Sequence, residues 1–467
     1  MSMKNDIFPD WLPPALVKDW RQMLRSPLYL LGVLAAVLVA LMVTLRSVGE
    51  DVRNVEGFWL LQGLLLCCMV PARVGLAVET ELKNAGGVFL RLTPLSSRQV
   101  VWGTWFSGMV QVLLLALLAI PLVILQLGAF QGAELVAQAW GYAAGLTLLV
   151  ALGGVLVAAS QATASQPILL RVLFGMILAG YGVCEAVDMA VCFRTGLFIG
   201  NVVLMGLMLM MSAAMVLTLL EEARRPFAHP AENCTASVRR CSLLAFVVYL
   251  AGMVCGLVWD AYTWPVLFVM LMAVWGMLQP EKADAAPLQP LRWLPGCLQG
   301  RGLWGGALWL CTVCFLCLLA MLPVIWLQWG EHDEVDLQLL QRFGFDMQTV
   351  ALLGARYWLS LLVSLLAALL FSSLIAPRSR AVVFVLVLLV ELFLGFVFNV
   401  FALLSGQENL WTFLPLLPVD VAELSNYLMP EHWNRQMVEE SVLWIIAVKA
   451  AWLAVLLPVS RFLDRRR

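Results

Sequence analysis

The chain has 467 residues, of which 62% are hydrophobic and only 13% are charged, and its net charge is −1. Soluble domains carry about 25% charged residues, so a mean hydropathy of +0.90 excludes an ordinary soluble enzyme. The near-neutral total implies neither a strongly basic nor a strongly acidic partner, and we expect no nucleic acid to bind. We therefore predict an all-α fold, a polytopic bundle of transmembrane helices.

The first 27 residues predict a cytoplasmic leader that contains an interfacial amphipathic helix. Apolar residues recur every four positions, and charged residues take the opposite side, as in a helix that lies in the membrane interface. The apolar positions are Leu12, Leu16, Trp20 and Leu24. A cytoplasmic helix packed on the inner face of the protein is the alternative. No cleavable signal peptide is expected, because no small-residue cleavage site follows a short apolar core.

Apolar runs of roughly 18 to 25 residues, long enough to cross about 30 Å of hydrocarbon, predict about twelve spans. These are 28–45, 58–78, 101–127, 135–159, 168–187, 196–220, 242–259, 264–279, 304–328, 350–375, 381–404 and 441–460. They group into a six-span unit at 28–220, a cytoplasmic linker at 221–241, a second six-span unit at 242–460 and a basic cytoplasmic tail at 461–467. An even number of spans makes the two halves candidates for parallel repeats.

Basic residues concentrate in alternate connections, which is the pattern of the positive-inside rule. The basic segments are 4–25, 73–98, 171, 224–240, 282–301, 378–380 and 461–467. Few basic residues and most acidic ones fall on the opposite side. We therefore predict a plasma (inner) membrane protein with both termini in the cytoplasm.

The connection after the second span, residues 79–103, reads ETELKNAGGVFLRLTPLSSRQVVWG. A Gly86-Gly87 break precedes a short apolar helical stretch and a turn. Pro94 suits the first turn of a new helix, Thr93 is a candidate N-cap, and Gln99 is placed to reach back toward it. This pattern predicts a compact hairpin at the cytoplasmic surface, with a plain connecting loop as the alternative.

With its basic leader and this Leu-Thr-Pro-Leu-Ser connection, the chain resembles the ABC-2 type permeases, the membrane subunits of ATP-binding-cassette transporters, over residues 10–220. The resemblance implies a coupling helix that docks on an ATPase. It assigns ATPase coupling to Glu79, Glu81, Leu90, Thr93, Pro94 and Ser96. The chain has no G-x-x-x-x-G-K-[ST] loop, so ATP would be bound by a separate ATPase subunit. A second permease chain is a further possible partner.

The sequence departs from the family in two places. Family members often carry Gly-Lys at the start of the third span, where this chain has Gly103-Thr104. The corresponding connection of the second half, 280–303, has no Thr-Pro-Leu-Ser turn. The apolar stretch 411–418 between the last two spans resembles the short re-entrant helices of the family.

Two charged residues, Glu391 and Lys449, lie within predicted spans, about 15 and 18 Å from their inner ends at 1.5 Å per residue. Intramembrane charges are costly and often functional. Their interpretations are an ion pair between adjacent helices and ion coupling. Ion coupling would make the chain a secondary transporter, which is the alternative to an ATP-driven exporter.

Enzymatic activity and bound metal are not expected. His229, His332 and His432 are scattered over loops on both faces, with no nucleophile-base arrangement. Cys311, Cys314 and Cys317 form one stripe of a buried helix, which is typical of packing. Gly141 and Gly145 form a small-xxx-small pair that favours close helix packing. The transported substrate is left open.

Overall fold

The structure is a computed structural model. The described residues are 62–63, 65–83, 96–128, 131–165, 198–228, 234–254, 304–316, 347–375 and 435–465, with single positions at 27, 30, 31, 33, 34, 37, 38, 171, 175 and 383.

Helices account for all the regular structure within these ranges, and no strand occurs there. The helices are α1 (Val70–Lys83), α2 (Ser97–Leu127), α3 (Gly132–Ala162), α4 (Phe198–Ala223), α5 (Cys234–Val254), α6 (Trp304–Leu316), α7 (Met347–Ile375) and α8 (Arg435–Arg465). A π-helical turn, Leu65–Met69, leads directly into α1. The all-α expectation is confirmed for the described part of the chain.

Four of the described helices are long and apolar enough to cross a membrane. The qualifying stretches are Ser97–Pro121, Gly132–Ala162, Val202–Ala223 and Ile446–Leu463. Shorter apolar stretches occur at Trp304–Leu316 and Leu362–Leu374. The structure thus supports a membrane protein with several spanning helices, and the number twelve stays a prediction.

The chain divides into two compact units, Met1–Val248 and Tyr249–Arg467. The division falls inside α5, a few residues beyond the predicted start of the second half at residue 242. Part of the predicted linker 221–241 is helical, because α4 continues to Ala223 and α5 begins at Cys234.

Helix α3 is the centre of the first unit, where it packs against α1, α2, α4 and the π-helical turn. Glycines allow the close approach. A methyl group added at Gly108 of α2 would lie 2.6 Å from Val157 Cγ1 of α3, and one added at Gly153 of α3 would lie 2.9 Å from Val112 Cγ1 of α2. Gly141 and Gly145 are both buried in α3, and the close α2–α3 approach at Gly108 and Gly153 lies farther along the helix.

The π-helical turn has a local cause in Pro71, which follows it within the first turn of α1. Proline lacks the backbone N–H that would continue the α-helical hydrogen bonds, and a one-turn widening of the helix accommodates this loss. The turn packs on α3, since the Leu66 carbonyl oxygen lies 3.4 Å from the position of a Cβ at Gly153.

Helix α2 has one face in the protein and one facing away from it. Val112, Leu115 and Ala119 are buried, whereas Leu117 and Ile124 are exposed, each by more than half. An exposed apolar face of this length suits contact with lipid chains.

In the second unit, α7 packs against α8. The Arg461 guanidinium of α8 lies 5.7 Å from the ring centre of Trp304, the first residue of α6, which places a cation over an aromatic face. This contact brings the start of α6 beside the end of α8.

Candidate functional site at the charged end of the first unit

Helix α1 ends in a group of paired charges. The Glu79 carboxylate accepts hydrogen bonds from Arg171 at 2.6 Å and forms an ion pair with Lys83 at 2.5 Å. Its side chain is 16% exposed, and that of Arg171 is 15% exposed. Hydrogen bonds from Arg171 and Lys83 lower the pKa of Glu79 to about 2. Arg171 follows α3 in the chain, so the pair ties the end of α1 to the segment beyond α3.

Helix α2 begins with a reciprocal capping arrangement. The Ser96 backbone N–H donates to Gln99 Oε1 at 2.9 Å, and the Gln99 backbone N–H donates to Ser96 Oγ at 3.3 Å. Two otherwise unpaired donors are satisfied at once, as in a capping box. Gln99 therefore takes the expected capping role with Ser96, the residue before the helix start at Ser97. Thr93, the predicted N-cap, lies outside the described residues.

A second set of charges ties the start of α2 to the end of α4. Glu221 of α4 forms ion pairs with Arg98 of α2, at 3.3 Å, and with Arg224. Arg224 Nε also donates to Ser97 Oγ at 3.3 Å. Arg224 is 8% exposed and the Glu221 side chain 12%, so their pair is shielded from solvent, whereas the Arg98 side chain is 55% exposed.

Glu222, Arg225 and Arg239 form a further group of charges between the end of α4 and α5. Glu222 is buried and accepts a hydrogen bond from Arg225 at 2.7 Å. Burial, with the nearby charge of Arg225, lowers the pKa of Arg239 in α5 to about 10. Arginine almost always stays protonated, so Arg239 remains a cation here.

These contacts define the charged end of the first unit. Its members are Glu79, Lys83, Ser97, Arg98, Arg171, Glu221 and Arg224. The predicted coupling connection joins α1 to α2 at this end, and both flanking helix ends are held by ion pairs to other parts of the unit. The two helix ends that flank the connection are thus bound to Arg171 on one side and to α4 on the other.

The predicted coupling residues fall partly within the described chain. Glu79, Glu81 and Ser96 are placed at the charged end or beside it, and Glu81 is half-buried on the last turn of α1. Leu90, Thr93 and Pro94 lie outside the described residues. Glu79 is engaged within the protein, so its carboxylate serves first to hold α1 in position.

Of the predicted intramembrane pair, Glu391 and Lys449, the structure describes only Lys449. Lys449 lies in α8 and is fully buried, with 0% of its surface exposed. Glu391 lies outside the described residues, so its pairing with Lys449 stays a prediction.

The structure also shows a polar contact between α1 and α2 that the sequence interpretation did not predict. Arg73 of α1 donates to Gln111 Oε1 of α2 at 2.7 Å. The sequence carried a usable signal, because Arg73 lies inside the predicted span 58–78, and the polar Ser107 and Gln111 are one turn apart in an apolar span.

Among the residues that the structure describes, no three metal-ligating side chains come together. Cys314 is buried and Cys311 is half-buried on α6, as packing residues of a helix are.

Comparisons with protein-family models, with curated proteins and with solved structures returned no match. The features that bear on function are therefore the charged end, the buried or half-buried polar residues of α1, α2 and α8, and the resemblance carried by residues 10–220.

Proposed function

We propose that the chain is the membrane-spanning permease subunit of an ATP-driven ABC transporter, an exporter that is coupled to a separate ATPase subunit through the connection between α1 and α2. The observation that carries the proposal is the pair of anchors on either side of this connection. Before it, Glu79 is bound to Arg171; after it, Arg98 and Arg224 are bound to Glu221.

The physical requirement for such coupling is a cytoplasmic projection whose contacts differ between the nucleotide states of the partner. The capped start of α2 and the ion-paired end of α1 anchor this projection at both ends. Since α3 packs against α1, α2 and α4, a movement of the anchored ends acts on the whole first unit and not on one helix.

Lys449 supports the second candidate, an ion-coupled secondary transporter. A fully buried lysine in an apolar helix is expensive unless it has a structural or functional partner. Under this alternative, transport needs no ATPase and is abolished by replacing Lys449 or Glu391.

The test is reconstitution of the chain with an ATPase subunit that co-purifies with it, followed by measurement of ATP hydrolysis with and without the chain. Glu79→Lys should lower the stimulated rate by about tenfold or more, an effect of about 1.4 kcal/mol, because it places a cation beside Arg171. The double exchange Glu79→Arg with Arg171→Glu restores the ion pair and should recover most of the rate.

Glu134→Lys is the matched control, since Glu134 is exposed in the first turn of α3, at the other end of that helix. It should leave the stimulated rate unchanged. Full-speed transport by the isolated chain without ATPase would refute the proposal. So would an epitope inserted at Gly86-Gly87 that is accessible only from outside intact cells.

A further inference from the structure

The contact between Arg73 and Gln111 lies deep in the first unit. Gln111 is 14 residues from the start of α2, about 21 Å along the helix. It is close to the middle of Ser97–Pro121, a stretch able to cross a membrane. The Arg73 side chain that reaches it therefore lies beside the middle of this apolar stretch.

A cation at this depth is costly. An arginine at the centre of a spanning helix costs about 2.5 to 3.5 kcal/mol on insertion scales, and such residues usually mark ligand or ion paths. The guanidinium has five N–H donors in a planar fork, which matches the oxygens of a carboxylate or a phosphate. The Arg73 side chain is only part-buried, so it is accessible from one side.

A second polar residue, Ser107, lies in the same contact between α1 and α2, and the contact is therefore a candidate binding site. Ser107 is 2% exposed, and its hydroxyl oxygen is buried with no hydrogen-bond partner among the residues that the structure describes. Ser107 lies one turn before Gln111, on the same face of α2. It also adjoins Gly108, where an added methyl would come within 3.2 Å of Val74, the neighbour of Arg73.

The apolar surface beside the site has the character of a lipid-facing wall. Leu114 and Leu118, three and seven residues after Gln111 and on the same side of α2, are exposed. A molecule with an anionic head and an acyl or alkyl tail would place the head on Arg73 and Ser107 and the tail along these leucines.

We propose that Arg73, Gln111 and Ser107 form a binding site for a single anionic group, a carboxylate or a phosphate, at the depth of the bilayer core. The site deepens the proposed function, and rests on it, in that it names anionic amphipathic molecules as the class of transported substrate. The shared chemistry is the anionic oxygen group, whether a membrane amphipath or a free anion carries it.

The test is a scintillation proximity binding assay on the purified full-length chain in a neutral maltoside detergent, with radiolabelled dodecyl phosphate as the probe. Unlabelled dodecyl phosphate and dodecanoate should displace it. Dodecanol, which has the same tail and no charge, should be at least about tenfold weaker. Displacement by inorganic phosphate at the same concentration would assign the site to a free anion, and its failure would assign the site to a membrane amphipath.

Two kinds of variant tie binding to these residues. Arg73→Gln removes the charge and should weaken probe binding by at least about tenfold. Arg461→Gln, which removes a cation in the second unit, should leave binding unchanged. Ser107→Asp places a carboxylate where the ligand would bind and should abolish binding, whereas Ser107→Asn, of nearly the same size but neutral, should retain it within about threefold.

The serine pair keeps the test valid if Arg73→Gln fails to fold. Equal affinity for dodecanol and dodecyl phosphate, or equal binding by Ser107→Asp and Ser107→Asn, would overturn the site. The assay contains no ATPase, so loss of stimulated ATP hydrolysis with intact binding would count against the proposed function alone. Intact stimulation with no charge-dependent binding would count against the site alone.

Discussion

Glu79 illustrates what a single residue contributes at the charged end. The carboxylate is the acceptor for both Arg171 and Lys83, and it joins chain segments 92 residues apart. No sequence pattern predicts such a pair, because the contact depends on how α1 lies beside the segment after α3. The sequence did point to Glu79, but as a docking residue on the strength of the family resemblance.

The stabilisation that Glu79 provides should depend on pH with a definite sign. Its pKa in the folded protein is about 2, below the ordinary value of 4.5. A lowered carboxyl pKa stabilises the folded state fully above the ordinary value, and this contribution is lost as the pH falls toward the folded-state value. We expect wild type to unfold at a higher temperature than Glu79→Gln at pH 7 and 5, and the difference to shrink between pH 4.5 and 3.

The measurement is thermal unfolding of the two purified proteins in the same detergent at each pH. Glu134→Gln serves as the control, because its side chain is exposed at the other end of α3. A gap between wild type and Glu79→Gln that stays constant down to pH 3 would show that the Arg171 pair does not set the stability of the charged end.

The hydrogen bond from Arg73 to Gln111 was not predicted at the residue level. The place of Arg73 among the cytoplasmic charges stays a prediction. The depth of a long side chain depends on which way its helix face points, and that is decided by the neighbouring helix.

At the scale of elements, helix α2 shows which helix bounds hydropathy predicts and which it misses. The apolar run predicted a span at 101–127, and the helix is Ser97–Leu127. Three of the four residues missed at the start, Ser97, Arg98 and Gln99, are polar and carry no hydropathy signal. They are helical because Ser96 and Gln99 cap the first turn, which is a local hydrogen-bond effect.

The contact between α2 and α3 should tolerate little extra volume at Gly108. A methyl group there would meet Val157 Cγ1 at 2.6 Å and Val74 Cγ2 at 3.2 Å. Overpacking of this kind typically costs about 1 to 3 kcal/mol. We therefore expect Gly108→Ala to lower the unfolding midpoint in a denaturing-detergent titration.

Gly103→Ala is the matched control in the same helix, since nothing lies within 4 Å of an added methyl there. It should be neutral or stabilising by up to about 1 kcal/mol, because alanine favours the helix over glycine. Adding Val157→Ala to Gly108→Ala should recover part of the loss. Equal midpoints for Gly108→Ala and Gly103→Ala would contradict the close approach of α2 and α3.

At the scale of the whole molecule, composition alone predicted an all-helical membrane protein, and the described helices agree. Seven of the predicted spans coincide with helices α2 to α8, wholly or in part. The two halves were predicted from span counting, and the chain does separate into two units, at Val248. Their relation as repeats stays a prediction, since equal span numbers do not determine how helices pack.

The hydrogen bond from Arg73 to Gln111 has a consequence for how the protein is made. The two residues are 38 positions apart, so the ribosome delivers the cation of α1 to the insertion machinery before its acceptor in α2 exists. In a nascent chain that stops before α2, we expect the predicted span 58–78 to insert poorly into microsomes, as scored by glycosylation of an acceptor site engineered after Lys83. Synthesis through Leu127 should rescue it, and Gln111→Leu should blunt that rescue. The order of synthesis would then be a requirement for biogenesis, and it would follow from one polar contact, the hydrogen bond from Arg73 to Gln111.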